Sequence, residues 1–263
     1  MKKLIWALLL TPIAGLAANE PANVTAQQFV DLQQGNMVYP GFRRAHAKGI
    51  CVSGEFRSNG QLSDYSKAPV FQPGVTPFTG RLSIAGNNPT APDLKAPVRS
   101  LALSFSISST EQWRLAMNTP PVMAVADPHT FYQQILAIQA GPAAIKQFFS
   151  EHPESKEFLA WAAQYKASGS FASETYNSIN AFYLVDTEGQ QHAVRWAAVP
   201  LTNETGQLAD AEATDALQQE FFSRLQQGPV RFDLQFTLAT ASDNPADATI
   251  PWPETNPQLS AGT

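Results

Sequence analysis

Hydrophobic and polar positions alternate with a period of two in several stretches of this chain. Ile50, Val52, Gly54 and Phe56 form one such stretch, and Leu101, Leu103, Phe105 and Ile107 another. Ile179, Ala181, Tyr183 and Val185 lead to Asp186-Thr187-Glu188-Gly189, and Ala193 to Val199 returns. That order predicts a hairpin over 179–199. Val230, Phe232, Leu234, Phe236 and Leu238 carry the cleanest alternation. Each pattern predicts a strand with one buried face. Val122 to Val125 is a short apolar run, read as a fully buried strand.

Other segments carry the helical period. Thr25 caps a predicted helix over 25–34, with Phe29, Val30 and Leu32 on its apolar face. Asp127-Pro128 starts a second, running to about Ala140. There Asp accepts from the free amides and Pro takes the first helical position. Two more helices are expected near 142–150 and 153–167, the latter with Phe158, Trp161, Ala162 and Tyr165 at helical spacing. Asp210 to Leu225 predicts a last helix, with Leu217, Phe221 and Leu225 on one side. Arg57 to Gly60 reads as a turn, and residues 69–100, rich in Pro and Gly, as irregular loops between short strands. From Ala241 onward no period survives, which predicts a surface or disordered tail. Nothing alternates β-α-β, so the expected class is α+β with antiparallel strands and helical insertions. A closed antiparallel barrel large enough to hold a ligand fits the strands.

Composition narrows the function classes. The net charge is −5 at pH 7 and no basic stripe is present, which argues against nucleic acid as a partner. The one cysteine, Cys51, precludes an internal disulfide and reads as a small buried residue beside Ile50 and Val52. Lys2 and Lys3, an apolar run from Leu4 to Leu16 and the small residues Gly15-Leu16-Ala17-Ala18 predict a cleaved secretory signal over 1–18. The run is too short to span a bilayer, so no stable membrane anchor is expected after cleavage. Residues 19–263 then form the expected functional domain, located in the periplasm if the source is Gram-negative.

Taken alone, His46 is a general base, a metal ligand or a satisfied polar group. His129, His152 and His192 form no close metal-binding pair with it, and no His-Glu-x-x-His is present. There is no Gly-x-Ser-x-Gly elbow, so a hydrolase is unsupported.

Several short segments, in order, resemble the haem catalase superfamily, and most closely its small catalase-related peroxidases. Arg43, His46, Ala47 and Gly49 match an Arg-x-x-His-Ala-x-Gly pattern. Thr79 to Gly86 is similar to Arg-Phe-Ser-Thr-Val-Ala-Gly, shortened by one residue. Arg99 to Phe105 is similar to Arg-Gly-Phe-Ala-x-Lys-Phe. Asn118-Thr119-Pro120-Pro121 stands for Asn-Asn-Thr-Pro, and Ala126-Asp127-Pro128 with Phe131 for Arg-Asp-Pro and its following Phe. Tyr176 to Phe182 resembles the segment after the family's helical insertion. The likeness runs from about residue 25 to 240.

The resemblance implies a catalase-type antiparallel β-barrel with helical insertions. It implies heme b as cofactor, and reduction of hydrogen peroxide or organic peroxides by an unknown electron donor in oxidative-stress defence, with some dismutation. His46 would shuttle the peroxide proton, Asn118 would orient the peroxide, and Ser83 would fix the tautomer of His46. Arg43 and Arg81 would pair with haem propionates, and Phe131 would pack on the porphyrin. A monomer or small homo-oligomer is expected, because the chain lacks the arms of the large tetramers. The family's proximal tyrosine ligand, in an Arg-x-x-x-Tyr context, is not found. A fragment, another axial ligand, or a non-catalytic barrel binding haem or another apolar ligand would each account for that.

Overall fold

The computed structural model describes residues 23–202, 208 and 210–263. The predicted signal over 1–18 lies outside them. Among the described residues, nine strands build one antiparallel sheet: β1 (Gly49–Ser58), β2 (Gly74–Ile84), β3 (Arg99–Ser106), β4 (Gln112–Asn118), β5 (Tyr176–Asn177), β6 (Phe182–Val185), β7 (Gln191–Pro200), β8 (Phe232–Leu238) and β9 (Gln258–Ser260). Their order is β1-β2-β3-β4-β5-β7-β8-β9, with β6 paired to β7 alone.

The sheet curls until its two ends meet. The Arg57 N–H donates to the Thr263 carbonyl at 2.7 Å, and the Thr263 N–H returns a bond to the Arg57 carbonyl at 3.1 Å. Gly262 makes this approach possible. Its φ is +130°, and a Cβ there would stand 2.0 Å from the Arg57 carbonyl oxygen. The expected class, α+β with antiparallel strands and helical insertions, is the one the chain adopts.

Alternation explains which face is inside. Ile50 and Phe56 from β1, Leu101 and Phe105 from β3, and Leu234 and Phe236 from β8 share one core cluster with Trp196 and Leu217. Each fully buried side chain of this size contributes roughly 1.5–3 kcal/mol by leaving water. Aromatic contacts order the middle of the cluster: Phe105 stacks on Trp113 with centroids 5.1 Å apart, and Phe71 meets Phe236 edge-on at 5.4 Å.

Helices α2 (Pro128–Ala140), α3 (Pro142–Glu151) and α4 (Lys156–Gln164) fill the connection from β4 to β5. Asp127 caps α2 by accepting from the Thr130 N–H, and Pro128 takes the first turn. α1 (Ala26–Gln34) begins with the reciprocal Thr25–Gln28 capping pair. It buries no residue fully, but Phe29 lies on Phe131 and Tyr132 of α2. α5 (Ala216–Gln227) starts later than the predicted Asp210, and its Leu225 is exposed rather than packed with Leu217 and Phe221.

Some expectations need correction. The stretch 69–100 is not mainly loop, because it contains the eleven-residue β2. β2 carries Gly74, Pro77 and Gly80, which weaken a local strand signal, yet β1 and β3 pair with it on both sides. Pairing to β3 begins only at Phe78, so the missing N–H of Pro77 breaks no bond to that strand. Val122 to Val125 is buried but bends, so it forms no strand. Cys51 is exposed, not buried, because successive strand residues face opposite sides and its neighbour Ile50 takes the core. The tail after Ala241 is neither loose nor wholly superficial. β9 pairs with β8, and Thr249, Asn256 and Ala261 are buried.

Candidate active site

Pairing register puts a polar row across the sheet. Gly49 faces Ser83, Ser83 faces Ser100, Ser100 faces Asn118, and Asn118 faces Asn177 on five successive strands. Directly opposed residues share a face and bring their side chains within reach of one another. Three residues before Gly49, the chain bends and sets His46 over the end of this row. Its Nδ1 lies 3.4 Å from Ser83 Oγ and 3.4 Å from Ser100 Oγ. Ser100 Oγ donates in turn to Asn118 Oδ1 at 2.5 Å. Asn177 Nδ2 donates to the Thr119 carbonyl at 3.0 Å and so fixes the backbone beside Asn118.

The bend is held by several bonds. His46 adopts φ +51°, in the left-handed region. Non-glycine residues held in such conformations carry of order 1–3 kcal/mol of strain, and the surroundings must enforce them. The next residue does so: the Ala47 N–H donates to the Gly86 carbonyl at 3.0 Å, and Arg81 Nη2 donates to the Ala47 carbonyl at 3.2 Å. Lys48 is drawn away into an ion pair with buried Asp93 at 2.7 Å, so it adds no charge to the row.

His46 titrates below its ordinary value. Burial is the largest cause, followed by the positive charges of Arg81 and then Arg43. The ring is therefore neutral near pH 7, and its second nitrogen, away from the serines, is free to act as a base. Burial also lowers Arg81, with Arg43 the next cause. Neither guanidinium has a carboxylate partner among the described residues. Two unpaired cations near one histidine form an anion-accepting edge. The next row of the same sheet face, Cys51, Arg81, Ala102 and Ala116, is small apart from the arginine, and Ala116 is exposed.

The structure thus brings His46, Ser83 and Asn118 together, with Arg81 and Arg43 close enough to perturb His46. It places Phe131 differently. That ring is half-buried in a second apolar cluster with Ala124, Val125 and Phe148, and it stacks on Phe29 at 6.0 Å. Sequence reasoning missed Ser100 and Asn177. The alternation of β3 places Ser100 opposite the core-facing Leu101, which was the available signal. An apolar groove of about 760 Å³ lies elsewhere, between β1–β3 and the α5–β8 segment. Leu82, Leu101, Phe221 and Leu234 line it, and none of the six expected site residues does.

Comparison with known proteins points the same way. The family model described as Catalase matches residues 40–259. The chain is 34% identical over 252 residues to a catalase-related peroxidase of Synechococcus elongatus, covering 91% of this chain and 74% of that protein. It is 27% identical over 240 residues to a catalase-related peroxidase of Mycolicibacterium paratuberculosis, covering 88% and 77%. The solved structure of a bacterial catalase superposes with a TM-score of 0.73 at 21% sequence identity, over 96% of this chain and 53% of the other. That structural likeness bears on the fold.

Proposed function

The chain belongs to the catalase family and is an oxidoreductase acting on peroxide, and from that premise we propose that it is a haem-dependent peroxidase reducing hydrogen peroxide or organic peroxides with an external electron donor. The observation carrying the proposal is the placement of neutral His46 over Ser83 and Asn118 beside two unpaired arginines. We assign the group as heme b, because a flat dianionic macrocycle suits a small-residue face edged by Arg43 and Arg81. His46, Ser83 and Asn118 would lie against the haem, and Arg43 and Arg81 would meet its carboxylates. When bound, the haem would supply the redox centre at which peroxide is reduced.

The protein's own residues manage protons and position. His46 accepts the proton from one peroxide oxygen and returns it to the oxygen that leaves as water. Positioned acid–base help of this kind is typically worth about 10²–10⁴-fold in rate. Asn118 donates through Nδ2 to the peroxide and holds it for that transfer. Ser83 holds the ring of His46 from its Nδ1 side. Arg43 and Arg81 pair with carboxylates on the cofactor. Phe131 offers the part of its ring not covered by Phe29 as an apolar wall. Lys2, Lys3 and the apolar run from Leu4 to Leu16 support a secretory signal, and so a periplasmic role in defence against oxidative stress if the source is Gram-negative.

The proposal is tested by adding haem to the full chain and recording the absorption spectrum before and after peroxide. A sharp protein-bound haem band that changes on peroxide and returns on adding a reductant is expected. A spectrum like free haem, or a bound band indifferent to peroxide, refutes it; the latter would mark a haem-binding barrel without turnover.

A further inference from the structure

We propose that Ser100 is a positioning residue that sets the His46 tautomer and the Asn118 amide orientation together. A serine hydroxyl has a single proton to give. Ser100 gives it to Asn118 Oδ1, at 2.5 Å. Toward His46 Nδ1, at 3.4 Å, the same oxygen can then only accept. A hydrogen bond between them then requires the hydrogen on Nδ1, which leaves Nε2 with its lone pair facing away from the serines. That is the form of imidazole able to take a proton from a substrate.

Ser83 does not settle the matter by itself. It also stands 3.4 Å from Nδ1, but its hydroxyl has no other hydrogen-bond partner among the described residues. It can therefore donate to a bare Nδ1 or accept from a protonated one. Ser100 removes that freedom because its proton is already committed. The same bond acts on Asn118. An amide that accepts through Oδ1 on the Ser100 side must present Nδ2 on the opposite side. One hydroxyl thus makes His46 an acceptor and Asn118 a donor toward the same space.

Register explains why this serine can bridge them. Ser100 is the strand partner of both Ser83 and Asn118, so it sits between the two in the row. The related sequence pattern quoted above has glycine at this position. The inference rests on the peroxidase reading only for the use made of the two groups.

The experiment is NMR of the full chain, without added haem, with histidine labelled in its ring nitrogens. Two-bond and three-bond proton–nitrogen correlations report which nitrogen of each ring carries hydrogen, and the His46 signal is assigned by its loss in His46→Ala. The wild-type protein is expected to show His46 with hydrogen on Nδ1. In Ser100→Ala the ratio of Nδ1–H to Nε2–H forms should fall about fivefold, the equivalent of one ordinary hydrogen bond of about 1 kcal/mol. Ser100→Thr, which keeps a hydroxyl, should restore it. An Nε2–H form in the wild-type protein overturns the inference without any variant. An unchanged ratio in folded Ser100→Ala or Ser100→Gly overturns it as well. Because the readout needs neither haem nor peroxide, failure of the peroxidase reading would be seen separately, in the spectrum and in turnover.

Discussion

Replacing Glu174 by Ala should destabilise the whole domain, because it strands a charge at the base of the polar row. Arg99 and Glu174 meet at 2.7 Å with side chains only 1% and 6% exposed. Glu174 also accepts the Ser168 N–H at 2.7 Å and the Tyr165 hydroxyl at 2.9 Å. Arg99 donates further to the Ser168 and Ser170 carbonyls. Removing one partner of a buried pair leaves the other uncompensated, which costs about 3–5 kcal/mol. The two orphaned donors deepen that loss. For a domain of this size, about 2–4 °C per kcal/mol predicts a melting temperature lower by about 6–20 °C. Urea titration followed by tryptophan fluorescence reads the same loss as a lower midpoint at an unchanged slope. Glu174→Gln keeps an acceptor for Ser168 and should lose less. The site would feel the change through one residue, since Arg99 precedes Ser100 and its carbonyl accepts the Thr119 N–H at 3.0 Å. A midpoint shift worth less than about 1 kcal/mol in Glu174→Ala would refute the reasoning, because it would class the pair with exposed ones.

Other predictions follow from the same geometry. Turnover should lose its acid limb below the ordinary histidine value: His46 is shifted down by burial and by Arg81 and Arg43, so it stays neutral as pH falls through 6.5 and protonates only lower. A pH profile of kcat/KM checks this, and an acid limb centred above 6.5 contradicts it. Gly262→Ala should open the seam between the first and last strands, since its Cβ would meet the Arg57 carbonyl at 2.0 Å with φ at +130°. Thermal melting should show a loss of more than about 1 kcal/mol, and an unchanged melt would mean the seam adds nothing to stability.

How much of this was legible along the chain depended on whether an element carries its own pattern. β1, β3, β8 and the β6–β7 hairpin each bury one face, so their alternation shows. β4 carries the same signal in Trp113, Leu115 and Met117, and the reading of the chain passed over it. β2 does not, because Gly74, Pro77 and Gly80 interrupt it and its partners on either side supply the register. The tail hides its order for a different reason. Asn256 is buried by donating to the Leu238 carbonyl and to Asp243, and Thr249 by donating to Asp247, so polar rather than apolar positions hold it. At the site, short motifs point to His46, Ser83 and Asn118 one at a time. That Ser83, Ser100 and Asn118 form one row is a property of strand pairing across long connections, which no local window contains. Phe131 shows the opposite limit: a residue found by motif that the fold sets on Phe29 and in the apolar cluster of Phe148.

The most direct test of the central claim is peroxide consumption by the haem-loaded chain with a reductant, compared between wild type and His46→Ala. The account predicts a fall of about 10²–10⁴-fold in turnover with haem content and fold retained. Equal turnover in the two proteins would contradict it, because peroxide chemistry would then proceed without the base that the row of Ser83, Ser100 and Asn118 is built to hold.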